Sequence, residues 1–497
     1  MYGAGAMGGV VNLISRRPTK EPAREVLINR SSRGATDTVF YGATPLSDRW
    51  NISLLGGGHW QEQTDVDRDS WSDLPHYARG VLRPRLFWDG GKGRTFFATV
   101  GATYEDRVGG TMPGTLLPAA GAAYREGLET ARFDAGAVGQ FLVHEHYVVT
   151  GRFAVAHQRH DHQFGDVRER DRHHTTFGEL AVRSTFGRQT WVAGVALDRN
   201  GYTPLDVPRL AYTFNVPGVF LQDDVDFGRG LAISASGRMD HHSQYGTFFS
   251  PRLSALVRKG NWTSRVSTGI GFFGPTFLTE ETEAAGLSRL AVPRPLVAER
   301  GRSGSVDVGR TIGPASLNVT LFASQVRNPI HVERSTAFVL SNLLQPATNR
   351  GVELLGTVRR EPFEITATYT YVKSREYEGS ERVEVPLTPR HSLAAVVMID
   401  AEGRGRIGLE GFYTGQQRLE DNPYRDVSPG YLLTGFLAEL RLGRVRLFIN
   451  AENLADVRQS RWDALLRPQR AADGRWTVDE WAPLEGRVFN GGVRFEF

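Results

Sequence analysis

The sequence predicts an all-β fold: an antiparallel barrel of about 22 strands that crosses a membrane. Three observations carry this. Apolar and polar residues alternate with period two along the whole chain. Tight turns alternate with long polar connections. The composition joins 56 glycines and 10% aromatic residues to a negative mean hydropathy, as expected for strands that are apolar on one face only.

The alternation is plainest in four segments. Phe96, Ala98, Val100, Ala102 and Tyr104 share one face and Thr99, Gly101, Thr103 and Glu105 the other. Tyr147, Val149, Phe153 and Val155 alternate with Thr150 and Arg152. Leu317, Val319, Leu321 and Ala323 alternate with Ser316, Asn318, Thr320 and Ser324, and Val445, Leu447, Ile449 and Ala451 with Arg444, Arg446, Asn450 and Glu452. Successive side chains of a strand point to opposite faces, so each segment has one greasy and one wet side.

Short turns are expected at Pro45–Arg49, Asp89–Arg94, His144–Glu145, Gly187–Gln189, Asp226–Gly230, Lys259–Gly260, Gly313–Pro314, Glu361–Pro362, Ala401–Gly403 and Gly443. Longer polar connections lie between them, at Gln61–Ala78, Asp106–Arg132, Gln158–His174, Asn200–Arg209, Gly274–Pro295, Asn328–Ser341, Glu376–Leu387, Arg418–Gly430 and Asp456–Leu484. Short connections on one side and long ones on the other are the habit of a membrane barrel. A soluble sandwich of this length would divide into repeated domains, and no linker or change of composition appears.

Several classes are set aside. No window approaches about 18 consecutive apolar residues, so no helix is expected to span a membrane. Met1 does not open a secretory signal, which leaves a cytosolic protein, a fragment or the second piece of a split gene. The chain has no cysteine, which removes thiolate chemistry and disulfides. The net charge of +4 is small and its charges are interspersed, so no nucleic-acid partner is expected.

The first residues, Gly3-Ala4-Gly5-Ala6-Met7-Gly8, fit a dinucleotide-binding pattern, but no strand precedes them. Val10, Val11 and Ile14 are β-branched and lead to Pro18, which favours strand over helix. Tyr2, the Gly3–Met7 run, Gly8-Gly9-Val10 and Asn12–Ile14 together resemble the end of the plug domain of TonB-dependent outer-membrane receptors. Thr348-Asn349-Arg350-Gly351-Val352-Glu353, Ala451–Asp456, Trp462–Pro468 and the terminal strand Phe489–Phe497 resemble barrel segments of the siderophore and cobalamin receptors in that family. The resemblance implies a plug end at residues 1–18 and a receptor barrel at 19–497. It places most of the plug, the TonB box and the signal peptide outside this chain. It also implies a monomer in the Gram-negative outer membrane, surrounded by its lipid. The partner would be the TonB complex, reached through the missing N-terminal region. The cargo would be a ferric siderophore, cobalamin or another metal chelate, imported without covalent chemistry and without a resident cofactor or metal. A plug-less chain is expected to form an open pore or to fail to fold. The competing classes are a passive channel and an outer-membrane hydrolase.

No G-x-S-x-G elbow is present, and no acid pair stands out. Histidines concentrate at His144, His146, His157, His160, His162, His173 and His174. Val148 stands where H-E-x-x-H needs its second histidine. The others read as a solvated outer loop or as a surface that recruits a metal or chelate. Asp65, Asp67 and Asp69 lack the calcium-loop spacing. Trp71, His76, Tyr77, Arg107, His160, His162, His173, His174, Tyr245, Tyr424 and Arg425 are the expected ligand-binding residues of the outer loops. Their rings and cations suit stacking on, and pairing with, an anionic chelate.

Overall fold

The computed structural model describes residues 9, 12, 15–117 and 120–497. The expected plug end falls largely outside the described residues, and the first strand starts at Ala23.

The wall runs as β1 (Ala23–Ser31), β2 (Thr36–Pro45), β3 (Trp50–Gln61), β4 (His76–Gly91), β5 (Arg94–Gly110), β6 (Arg125–Val143), β7 (Tyr147–Phe164), β8 (Val167–Phe186), β9 (Gln189–Pro204), β10 (Tyr212–Gly228) and β11 (Leu231–His242). It continues as β12 (Gly246–Lys259), β13 (Trp262–Phe273), β14 (Glu299–Ile312), β15 (Ala315–Arg327), β16 (Ala347–Arg360), β17 (Phe363–Glu378), β18 (His391–Ala401), β19 (Gly405–Thr414), β20 (Tyr431–Leu442), β21 (Val445–Glu452) and β22 (Val488–Glu496). Each strand pairs antiparallel with the next, and β22 closes on β1 from Glu25↔Glu496 to Ser31↔Asn490. The result is a closed barrel of 22 strands. Closure follows from the solvent: in hydrocarbon an open edge would leave a row of N–H and C=O groups unpaired.

Period two sorts the two faces as expected. Leu82, Phe133, Phe153, Leu180 and Val195 point outward and are exposed. The opposite parity carries ion pairs into the lumen. Arg83 donates to both oxygens of Asp134, at 2.7 and 2.8 Å, and Arg152 donates to Glu179 at 3.1 Å. All the expected short turns are present. At the β10–β11 turn Gly230 has φ +83°, and a Cβ there would sit 1.9 Å from the Arg258 carbonyl oxygen, so only glycine fits.

One expected loop is strand instead, and another is shortened from both ends. All of Gln158–His174 except Gly165 and Asp166 belongs to β7 and β8, and Asp106–Gly110 and Arg125–Arg132 extend β5 and β6 into the two ends of the expected Asp106–Arg132 loop. β8 has 20 residues, or about 66 Å of extended chain, whereas a tilted crossing takes about 9–11 residues. The upper halves of these strands therefore stand clear of the membrane. Both of their faces are wet there, so the hydrophobic period vanishes while the backbone ladder continues.

The buried apolar clusters lie mostly in the long loops. One joins Trp71, Leu117, Leu465, Trp476, Val478 and Leu484 from three loops. Another packs Phe338 and Leu340, both fully buried, against Val207, Leu210, Leu287, Leu290, Val332 and Tyr202. The hairpin Ile330–Arg334 and Phe338–Asn342 carries three of these side chains inward.

Candidate ligand-binding vestibule

The protruding arms of β4 to β10 form one continuous inward wall, and strand register decides who meets whom. One row runs Tyr77, Arg107, Leu128, His162 and Glu169, each directly opposite the next. The row below runs Arg79, Glu105, Thr130, His160 and Asp171. A third brings His173 beside Tyr202 and Tyr212. Of the residues expected from sequence, Tyr77, Arg107, His160, His162 and His173 thus share the lumen face.

Within the wall the polar groups are held in place. The Tyr77 hydroxyl donates to Glu105 Oε2 at 2.8 Å. His160 Nδ1 lies 2.8 Å from Asp171 Oδ1, and His162 Nε2 lies 3.7 Å from Asp171 Oδ2. His173 Nε2 is 2.7 Å from Asn200 Oδ1, and its ring stands edge-on to Tyr202, which stacks on Tyr212. Both Glu169 oxygens accept backbone N–H groups of Leu287 and Ser288 at 2.7 Å, which ties the loop after β13 to the wall. Tyr245 joins the same face: its hydroxyl donates to the Pro275 carbonyl at 2.7 Å and its ring lies 4.7 Å from that of His242. Burial pushes the Tyr245 phenol up to about 12, so it remains a neutral donor.

The remaining expected residues sit elsewhere. His76 and His174 have the outward parity: His76 packs edge-on to Trp60, and His174 faces His157 across the strand pair. Trp71 is 3% exposed and stacks on Tyr124 in the loop core. The Tyr424 hydroxyl donates to the Leu466 carbonyl, and Arg425 pairs with Asp463 and lies over Trp481. These three join loop to loop. Glu105, Glu169, Asp171, Asn200, Tyr202 and Tyr212 were not singled out in the sequence. Their signal is cross-strand, visible only once register is known.

His160, His162 and Asp171 bring ligand atoms within 4.8 Å of one another, a donor set that suits a divalent transition ion. Asp65, Asp67 and Asp73 form a second such cluster in the loop after β3. Its carboxylates already accept loop amides: Asp73 from Val66 at 2.6 Å, Asp65 from Arg68 at 2.6 Å and from Ser70 at 2.9 Å. Burial, reinforced by the neighbouring aspartates, pushes Asp69 up to about 7 and Asp73 up to about 6.

Residues 24–454 match the family described as TonB dependent receptor-like, beta-barrel. The chain belongs to the TonB-dependent receptor family. Solved receptors share this barrel. The siderophore receptor PirA from Pseudomonas aeruginosa is 16% identical with a TM-score of 0.73, covering 100% of this chain and 84% of that one. PirA from Acinetobacter baumannii is 14% identical with a TM-score of 0.78, covering 100% and 83%. The ferric-catecholate import receptor Fiu from K12 E. coli is 12% identical with a TM-score of 0.77, covering 100% and 85%. At such identities the likeness is one of fold. No curated protein matches the chain. In this TonB-dependent receptor barrel the vestibule lies at the long-loop end, where Arg107 and the histidines offer donors and Tyr77, Tyr202 and Tyr212 offer rings.

Proposed function

We propose that the protein is an outer-membrane receptor that captures a ferric siderophore in this vestibule and imports it in partnership with the TonB complex. The observation that carries the reading is the inward row joining Tyr77, Arg107 and His162 beside His160 and His173. An anionic chelate fits such a wall: guanidinium and imidazole N–H groups make charge-assisted hydrogen bonds, and the rings cover its apolar edges. The siderophore receptors that share the fold support the same cargo class. Binding and release suffice for this role, so no covalent bond is broken.

The test is tryptophan-fluorescence titration of the detergent-solubilised chain with a ferric catecholate, a ferric hydroxamate and cyanocobalamin. Saturable quenching by one of the ferric chelates is expected. Cobalamin binding alone would reassign the cargo. Binding of none, combined with solute-independent conductance in a planar bilayer, would replace the receptor by a passive channel.

A further inference from the structure

We propose that a cavity on the outer, lipid-side surface of β14 to β17 binds the phosphates of an anionic glycolipid in the outer leaflet. The proposal rests on the outer-membrane placement given above and not on the identity of the cargo.

The cavity encloses about 500 Å³ and is lined by Arg302, Arg350, Lys373, Arg375 and Arg382. Register shows how they converge. Arg350 lies opposite Lys373, and Thr348 opposite Arg375; Gln325 lies opposite both Arg302 and Thr348. Arg382 reaches over from the short strand Glu381–Glu384, its guanidinium over the Tyr377 ring and 2.6 Å from Thr348 Oγ1. Parity puts these side chains on the face of Val306, Leu321, Val352 and Leu354, away from the lumen.

Five cations share the cavity, and among the described residues none pairs with a carboxylate. Glu384, opposite Arg375, is engaged by Arg390 instead. The buried Nε of Arg375 has no hydrogen-bond partner. Like charges gathered at this density repel unless an anion sits between them, and planar guanidiniums match phosphate oxygens in bidentate fashion.

Depth identifies the anion. From Phe363 at the short-turn end of β17, outward positions run Ile365, Ala367, Tyr369 and Tyr371 before Lys373. Ten residues of strand rise about 33 Å, or about 25 Å once tilted, which is the height of the apolar band of such barrels. Ile312 to Arg302 on β14 spans the same interval. The cations therefore lie in the plane of the outer headgroups, directly above the tyrosines of the aromatic girdle. A phosphorylated lipid headgroup is the anion held at that level, with its acyl chains against the greasy strands beneath.

The test is native mass spectrometry of the detergent-solubilised chain with bisphosphorylated lipid A, monophosphoryl lipid A, phosphatidylethanolamine or inorganic phosphate. Bisphosphorylated lipid A is expected to be retained in preference to the other two lipids, with inorganic phosphate a poor competitor. The Arg350→Gln/Lys373→Gln/Arg375→Gln variant is expected to retain about tenfold less. Arg310→Gln, outward at the opposite rim, is expected to match the unmodified protein. Equal retention by the triple variant, or equal retention of phosphatidylethanolamine, would overturn the proposal. Displacement by equimolar inorganic phosphate would make this a free-anion site and overturn the lipid. If the triple variant does not give a heat-modifiable barrel, Lys373→Gln and the salt dependence decide. Retention must then fall at about 1 M salt, and indifference to salt refutes the site. A chain that binds no siderophore but passes these tests loses its cargo assignment and keeps its lipid site.

Discussion

Trp71→Ala is expected to open the loop canopy while leaving the barrel intact. Trp71 comes from the loop after β3, Tyr124 and Leu117 from the loop after β5, and Leu465, Trp476, Val478 and Leu484 from the loop after β21. The indole is 3% exposed, stacks on Tyr124 at 5.9 Å and, through it, meets Trp476 at 6.4 Å. Removing about 200 Å² of buried ring surface at about 25 cal/mol per Å² costs about 5 kcal/mol as an upper bound. Residual compactness of the open loops lowers this by about a fifth, to about 4 kcal/mol, in the range of Trp→Ala core truncations. That corresponds to about a thousandfold larger open population, because each 1.36 kcal/mol is about tenfold. Hydrogen exchange reads it directly. The amides of Arg467 and Val478, bonded to the Trp476 and Leu465 carbonyls, and of Thr111, bonded to Tyr124, should lose protection. The amides of β13 to β16 should not. Unchanged protection at 465–478 would refute the idea that this core holds the loops together. Equal loss in the strands would refute its independence from the barrel.

Three further outcomes are expected. His173→Ala should weaken binding of the ferric chelate by about tenfold, whereas the adjacent His174→Ala should change it less than about twofold, since only His173 has the lumen parity; equal effects in the same fluorescence titration would void the face assignment. Raising the pH from about 5 to about 8 should loosen the loop around Asp69 and Asp73, because groups whose folded pKa is raised to about 7 and about 6 favour the folded loop only while protonated. Exchange of the Val66 to Trp71 amides, corrected for intrinsic rate, should show this, and Asp69→Asn should flatten the dependence. Arg238→Ala should destabilise the barrel by about 3–5 kcal/mol in denaturant melts, because it strands Asp240, now 2.8 Å from the guanidinium and 1% exposed, as a buried unpaired charge. A loss under about 1 kcal/mol would mean that water reaches the carboxylate.

The local code was legible because it is local. Alternation within a strand depends only on the pleat, and a tight turn depends on a few residues such as Gly230, so both strand number and facing can be read along the chain. The same rule would have separated His173 from His174, which are neighbours in sequence and must oppose each other in any strand. What the pattern did not reveal was that β7 and β8 continue past the membrane. Outside the lipid both faces are hydrated, and composition no longer distinguishes a paired arm from a loop.

By itself, then, the order of residues determined a cylinder, its tight turns and which side chains of the membrane-crossing segments share a face, since sterics and solvent act on each strand separately. Only the tertiary structure decided that Tyr77, Arg107 and His162 meet on one wall, that Asp171 joins His160 to His162, and that Trp71 and Arg425 serve loop packing. Those contacts depend on register between strands and on loops far apart in the chain, where no short-range rule selects the partner.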